Sequence, residues 1–375
     1  MQEKELITQY QKDSRFIDFF ESWSTENKGN IIPINGLSGS SIPLIAACTF
    51  VKSEKSWIII RREKEEGAYF FNDLEKLLGP QRVVFFPDSY KRPYSEQENL
   101  DNINIGLRTE VLERLSTPSK PCIIVTYPEA IAEKVISQKS LKSKKLKIKV
   151  NQFIDLNFFN ENLFDLGFER VDFVELPGQF SLRGGIVDVF SFSQENPTRI
   201  EFIGNEVESL RAFSVEDQLS LEKISEITLI ANIENKYVDE PRQSLLTYSQ
   251  NIENIWIPNS DAIAEQIEKC YRHVENTILK HSQTKGKNDP SMLQLTKKEF
   301  QKEITEKIII ADSNQTNISE KNWGISPRMS FAKNFPLVIK TFNTHQNNGI
   351  QIWLMYGQAQ QKKRLESIIH DMSDT

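Results

Sequence analysis

Near the start of the chain, Gly36-Leu37-Ser38-Gly39-Ser40-Ser41-Ile42-Pro43 has the spacing of a phosphate-binding turn. It follows a short apolar run, Ile31–Ile34, and leads into an apolar stretch from about Pro43 to Val51. Strand, glycine turn and helix in that order frame a P-loop, GxxxxGK[ST]. There the second glycine lets backbone N–H groups wrap the phosphates, the lysine neutralises them, and the hydroxyl holds Mg²⁺. In this chain Ser41, Ile42 and Pro43 occupy those three places. Ile42 removes the cation, and Pro43 removes both the hydroxyl and a donor. The turn predicts a scaffold with the outline of a nucleotide site and without its working groups.

Other chemistry-bearing residues point the same way. A nucleotide motor needs a pair of acids after a later strand, but Ile255–Ile257 runs into Pro258-Asn259-Ser260-Asp261. The single carboxylate there reads as a helix cap. His273, His281, His345 and His370 lack ligand spacing, and no Ser/His/Asp or Cys/His arrangement is present. Cys48, Cys122 and Cys270 are odd in number and far apart, and two lie in apolar surroundings. They read as free thiols rather than a disulfide framework or metal site. No metal or cofactor is implied. The densest basic stretch, Lys139–Lys149, alternates from Lys145 onward (Lys, Leu146, Lys, Ile148, Lys, Val150), the pattern of a strand with one solvated face. No aromatic residue interleaves with these lysines to stack a base.

The elements that must position these residues follow from composition and pattern. A chain of 375 residues with 38% hydrophobic and 26% charged residues is globular and long enough for two or three domains. Its net charge of −6 speaks against a generic nucleic-acid binder. No apolar run reaches the roughly 18 residues of a membrane span, and the polar start, MQEKELITQYQKDSRF, lacks a signal-peptide core, so the expected location is cytoplasmic.

Trp57–Ile60, Val83–Phe86 and Cys122–Val125 are compact apolar runs separated by helical stretches, which predicts a parallel sheet covered on both faces. A helix over Leu100–Leu115 is predicted to bury a stripe of Ile103, Leu107, Val111 and Leu115. From about Lys142 to Leu221 the pattern changes to a helix, Asp155–Leu166, and short strands. These are Leu146–Val150, Arg170–Leu176, Gln179–Arg183, Gly185–Phe190, Arg199–Ile203 and Glu206–Phe213. Gly178, Gly184, Gly185 and Gly204 punctuate them as turns of an antiparallel sheet. Beyond lie a strand at Ile252–Ile257 and a helix at Asp261–Lys280 capped at Ser260/Asp261. A polar region, 282–335, is predicted to hold loops and only short elements. A helix at Pro336–Gln346, a strand at Gly349–Tyr356 and a helix at Ala359–Asp371 complete the reading.

Three segments are specific enough to carry a family resemblance. They are Phe168-Glu169-Arg170-Val171-Asp172-Phe173, Gly178-Gln179-Phe180-Ser181-Leu182-Arg183-Gly184-Gly185-Ile186-Val187-Asp188-Val189-Phe190, and Arg199-Ile200-Glu201-Phe202-Ile203-Gly204-Asn205-Glu206-Val207-Glu208-Ser209-Leu210-Arg211. They resemble UvrB and the UvrB-like start of the transcription-repair coupling factor (Mfd) family. Phe85-Phe86-Pro87-Asp88-Ser89-Tyr90-Lys91-Arg92-Pro93-Tyr94-Ser95 and Arg108-Thr109-Glu110-Val111-Leu112-Glu113-Arg114-Leu115 fit the same family's first domain. The degenerate turn resembles the coupling factors, whereas UvrB keeps a working P-loop. Between Tyr94 and Leu100 there is also no room for the long aromatic hairpin with which UvrB clamps DNA.

The resemblance implies an α/β fold: a RecA/helicase-like parallel-sheet domain over 1–134 with the degenerate P-loop, an inserted β-rich α+β domain over 135–222, and a second α/β region over 223–375. It implies a non-catalytic adaptor that recruits UvrA to stalled RNA polymerase, with a UvrB-type DNA-damage-binding ATPase as the alternative. RNA polymerase and DNA would be engaged only through domains absent from this chain, which reads as the N-terminal part of a translocase. The positions matching the family's UvrA contacts are Arg183, Arg199 and Ile203, the last standing where relatives usually carry phenylalanine. Arg170, Phe180 and Glu206 are candidate neighbours. Arginine forks suit carboxylates on a partner, the favoured reading; the alternative is that Arg183 and Arg199 satisfy carboxylates inside their own domain, such as Glu201 or Asp188.

Overall fold

The uninterrupted apolar runs become the strands of one parallel six-stranded sheet in a computed structural model. The structure describes residues 3–26, 28–89, 101–116, 120–234, 241–281, 289–312, 322–325, 334–350, 352 and 359–373. Across the sheet the order is Ile31–Pro33, Ile308–Ala311, Asn254–Ile257, Trp57–Ile60, Ile123–Thr126 and Val83–Phe85. Trp57–Ile60, Ile123–Thr126 and Asn254–Ile257 are buried at every position, as strands covered on both faces must be. Ile308–Ala311 lies in the region predicted to hold loops and only short elements, yet it sits between the strands at Ile31 and Asn254. The strands beyond the insertion therefore return to the first sheet. Helices Lys297–Ile304 and Ser260–His281 accompany them. Cys48 and Cys122 are buried and Cys270 is half-buried, all as free thiols; burial pushes Cys48 up to about 12.

The insertion enters and leaves through a two-stranded stalk. Lys145–Lys149 pairs antiparallel with Glu226–Ile230, from Lys149 opposite Glu226 to Lys145 opposite Ile230. Ile148 faces the core, while Lys147 and Lys149 face solvent and share Glu226, at 2.7 and 3.5 Å. Beyond the stalk a second six-stranded sheet runs in the order Ser220–Ile224, Glu206–Phe213, Thr198–Ile203, Ile186–Val189, Gln179–Arg183 and Glu169–Arg170. All its pairs are antiparallel except the last. Helix Leu156–Asp165, capped by Asp155, covers its core face through Phe159 and Leu163. The strand predicted at Arg170–Leu176 stops at Arg170. Gln179 Oε1 there accepts the amides of Glu175 and Leu176, which replaces a ladder with a turn before Pro177.

The helix predicted from Leu100 spans Asn102–Ser116, but its buried face differs from the predicted stripe. Ile105, Arg108, Thr109, Val111 and Leu112 are buried, and Ile103 is exposed. A residue repeated every fourth position drifts about 40° per step around a helix, so of the predicted stripe Val111 is buried and Leu115 packs against the core while Ile103 lies outside it. Arg108 is tolerated inside because its Nε donates to Glu234 Oε1 at 2.6 Å and its Nη1 to the Pro87 carbonyl at 2.8 Å, with the Phe86 ring 4.2 Å away. Arg242 holds the other oxygen of Glu234 at 3.1 Å. Glu234 follows the stalk's exit strand, so this buried cluster pins the insertion to the α/β domain. Gly106 adds to the joint: a Cβ there would stand 3.0 Å from the Phe192 carbonyl.

Residues 1–325 form one compact unit and 326–375 a second. The second contains helices Phe335–Asn347 and Ala359–Ser373. Gly349 and Ile350 end the first of these, with amides returning to Gln346 and His345. The rest of the strand predicted at Gly349–Tyr356 lies outside the described residues apart from Ile352, which is in no strand. No helix among the described residues is long and apolar enough to cross a membrane.

Burial works to raise the pKa of Glu234, but the Arg108 and Arg242 guanidiniums outweigh it and hold the carboxyl below its ordinary 4.5. The stabilisation is therefore complete above that value and is lost as pH falls through the depressed folded one. Replacing Arg108 with Met should cost about 3–5 kcal/mol in urea unfolding, the penalty for leaving a buried charge short of its partner. It should also move the start of acid unfolding to higher pH. An unchanged urea midpoint would show that the joint does not rest on this cluster.

Candidate protein-binding face and the closed phosphate turn

The turn at Gly36–Pro43 links strand Ile31–Pro33 to helix Ser41–Ser53, as a phosphate loop would, but pairs three of its amides internally. Gly36 has φ +74°, and a Cβ there would lie 1.8 Å from Asn322 Oδ1. The segment Asn322–Ile325 lies over the turn: Trp323 N donates to the Asn35 carbonyl at 3.0 Å and Ile325 N to the Gly36 carbonyl at 2.8 Å. Arg15 fixes that segment through the Trp323 carbonyl at 2.6 Å. Beyond Gly39 the amides of Ser41 and Ile42 donate to the carbonyls of Ser38 and Gly39, both at 3.3 Å. Ser41 Oγ accepts from Ser38 N at 2.9 Å and donates to its carbonyl at 2.8 Å. Pro43, which has no amide to offer, is buried in helix Ser41–Ser53.

Ligands of parallel sheets collect at the carboxyl ends of the strands, and that edge is occupied here by an internal ion pair. Arg61, after strand Trp57–Ile60, reaches past strand Asn254–Ile257 to Asp312, at 2.7 Å, and also holds Glu66 at 2.6 Å. Burial acts to raise Glu66, and Arg61 more than reverses it. The residue capping helix Ser260–His281 is Asn259, whose side chain accepts from Ala262 N at 2.8 Å, rather than Ser260 or Asp261. Asp261 stays in the first turn, where its charge suits the helix dipole. A cavity of about 360 Å³ farther along is lined by Asp88, Glu129 and Glu133 with Lys269, Cys270 and His273. Its carboxylates would repel a phosphate. No metal-holding group of His, Cys, Asp or Glu is found among the described residues.

The outer face of the inserted sheet has a different character. In antiparallel strands, directly opposed residues project to the same side. One row runs Ser181, Asp188, Arg199, Arg211 and Lys223; the next runs Arg183, Ile186, Glu201 and Ser209. A third places Ile203 opposite Glu206. Arg183, Arg199, Ile203 and Glu206 thus share one face. Phe180 does not: it is fully buried on the opposite face, edge-on to Phe164 at 5.2 Å. Arg170 is exposed on the edge strand, in register with Phe180 rather than with the arginine rows.

Asp188 is the internal partner of both arginines. Arg199 grips it with both ends of its fork, at 2.7 and 2.9 Å, and Arg183 bonds the same carboxylate. The hydrogen bond to Asp188 also raises the Arg199 pKa. Glu201 instead accepts from Arg211 and, at 2.6 Å, from Ser209. Two guanidiniums therefore share one buried carboxylate, which leaves a surplus positive charge at the surface. Arg183 stays 42% exposed and lies over the Phe173 ring at 5.3 Å. The sequence pattern left the partner and intradomain readings of these arginines open. The geometry allows both at once, because the internal acid orients forks that still have free donors. Nothing in the pattern singled out Phe153, which the fold sets opposite Glu206.

Residues 146–234, the stalk and the inserted sheet, match the UvrB interaction domain. The chain is 30% identical over 195 residues to the transcription-repair-coupling factor of Bacillus subtilis (strain 168), a match covering 52% of this chain and 16% of that protein. It is 29% identical over 246 residues to the coupling factor of Staphylococcus epidermidis, covering 64% and 20%. It is 25% identical over 280 residues to the UvrABC system protein B of Ureaplasma parvum, covering 64% and 42%. The chain thus resembles a UvrB-like module of the coupling factors and matches a fifth or less of the length of those two.

Closure of the turn generates a prediction. Loss of the lysine alone removes a charge-assisted contact worth roughly 1.5–3 kcal/mol, and the amides of Ser38, Ser41 and Ile42 are already paired. Calorimetric titration with Mg-ATP should give no heat from this turn. Micromolar binding that disappears in Ser41→Ala would show that the turn opens for nucleotide.

Proposed function

We propose that this chain is a non-catalytic adaptor whose β-rich domain docks the excision-repair protein UvrA and brings it to RNA polymerase stalled at a DNA lesion. Contacts to the polymerase and to DNA are assigned to parts of the protein other than the residues described. The observation that carries the reading is the outer face of the insertion. Two arginines held in place by one buried aspartate lie in neighbouring rows with an exposed Ile203, within the segment matching the UvrB interaction domain. Arginine and large apolar groups are the residue types that dominate binding energy at protein interfaces. A face with surplus positive charge suits an acidic patch on the partner.

The second reading, a UvrB-type damage-binding ATPase, draws on the match to UvrABC system protein B. Ile42 and Pro43 in place of the lysine and hydroxyl, and the paired amides of Ser38, Ser41 and Ile42, speak against its nucleotide half. Lys147 and Lys149, the exposed lysines of the stalk strand, are shared with Glu226. Duplex DNA is expected to bind weakly and to release steeply with added salt, without preference for a lesion, in a mobility-shift titration. A tight, salt-resistant complex with damaged DNA would favour the second reading.

The arrangement around Asp188 dictates how the adaptor reading is tested. Reversing both arginines would set glutamates beside a buried carboxylate and confound binding with folding. Arg183→Gln leaves Arg199 gripping Asp188, so the thermal midpoint should stay within a few degrees of the parent. Its affinity for purified UvrA should fall about tenfold or more, the loss of one charge-assisted contact. The triple change Arg183→Gln/Arg199→Gln/Asp188→Asn removes the charges together and should abolish the complex in a folded protein. If both variants bind UvrA as the parent does, the face is not the docking site.

A further inference from the structure

The outer face continues beyond the arginine rows onto a residue outside the motifs. Segment 151–154 leaves the stalk and pairs with the end of strand Glu206–Phe213. Asn151 N donates to the Val207 carbonyl at 2.8 Å, Val207 N to the Gln152 carbonyl at 2.9 Å, and Ile154 N to the Asn205 carbonyl at 2.7 Å. This register sets Phe153 opposite Glu206, which is itself opposite Ile203 on the other side. Opposed residues project together, so Ile203, Glu206 and Phe153 form one row across three strands, spanning roughly 10 Å at the usual strand spacing. Phe153 is 76% exposed and Ile203 68%, against the few per cent of the phenylalanines in the core beneath. Around the row the backbone is bare: a Cβ built on Gly184 or Gly204 meets nothing within 4 Å.

Resting on the reading of this face as the UvrA-docking surface, we propose that Phe153 is a further contact residue, with Ile203 and Phe153 gripping an apolar projection of UvrA while Arg183 and Arg199 engage its carboxylates. Continuity with the arginine rows selects that occupant: the apolar row adjoins the surplus positive charge on the same side of the same sheet. A phenyl ring buried on docking brings large contact area with little side-chain freedom to lose. Two apolar groups astride Glu206 also fix the partner's register along the sheet.

The test measures the affinity of the full chain for purified UvrA. Phe153→Ala should weaken binding about ten- to a hundredfold, as truncation of an interface anchor does, with an unchanged thermal midpoint because the ring is exposed. Phe153→Lys, which keeps a long side chain but loses the ring, should be at least as weak. Tyr69→Ala, which removes a similarly exposed ring from the α/β domain, should bind as the parent. Parental affinity in Phe153→Ala alongside weakened Arg183→Gln would overturn the role of Phe153 and leave the docking face standing. Parental affinity in both would remove the face itself. Equal losses in Phe153→Ala and Tyr69→Ala would also overturn the assignment, since the effect would then follow exposed rings in general.

Discussion

A carboxylate cut off from water has to keep its cations, and Glu234 is such a group. It is buried with Arg108 and Arg242 on its two oxygens. Each of the three comes from a different stretch of chain: helix Asn102–Ser116, the segment after the stalk, and the strand pair that returns to the α/β domain. Ionised in isolation, any of them would be expensive at that depth. Together they stay charged, and the cluster can form only when the stalk, the helix and the return strand are in place. The position of the inserted sheet relative to the parallel one thus follows from electrostatics as much as from apolar packing.

The same chemistry recurs with different consequences. Arg61 between Asp312 and Glu66 is almost wholly buried and occupies the strand-end edge where a parallel sheet would otherwise offer room for a ligand. Around Asp188 the carboxylate is buried but its two arginines are not equally so: Arg199 is mostly covered, and Arg183 is exposed along much of its length. Arginine suits both settings because its planar fork can satisfy an internal acid with one edge and present donors with another. Two of these clusters close surfaces; the third leaves one open.

Much of the architecture could be read from local pattern. Trp57–Ile60 and Cys122–Val125 announce buried parallel strands because no polar residue interrupts them, and the glycine-bounded strands from Gln179 to Phe213 announce an antiparallel sheet. What escaped the pattern depends on contacts far apart in sequence. Ile308–Ala311 is too short to be told from a helical turn by periodicity, and only pairing with Ile31–Pro33 and Asn254–Ile257 makes it a strand. The stripe holds at Val111 and Leu115 but not at Ile103, because Arg108, drawn inside by Glu234, helps set which side of the helix is buried. Arg183 and Arg199 were legible as a pair through the resemblance, but not the single aspartate beneath them. Phe153 was not legible at all, since its face is set by a short pairing with residues 205–207.

The degenerate turn bears on how such a domain can act. A turn that grips phosphate keeps several amides free for its ligand, so its conformation and the segments around it respond to nucleotide. Here the amides of Ser41 and Ile42 are paired within the turn, and Asn322–Ile325 is bonded across it. Any nucleotide would first have to break those bonds, and it would find no lysine at Ile42 to compensate. Under the proposed adaptor reading, the α/β domain serves as a fixed base. On that reading Arg108 and Glu234 hold the stalk, and the outer face of the insertion would be presented without a nucleotide-driven change of shape, which suits a docking platform better than a motor.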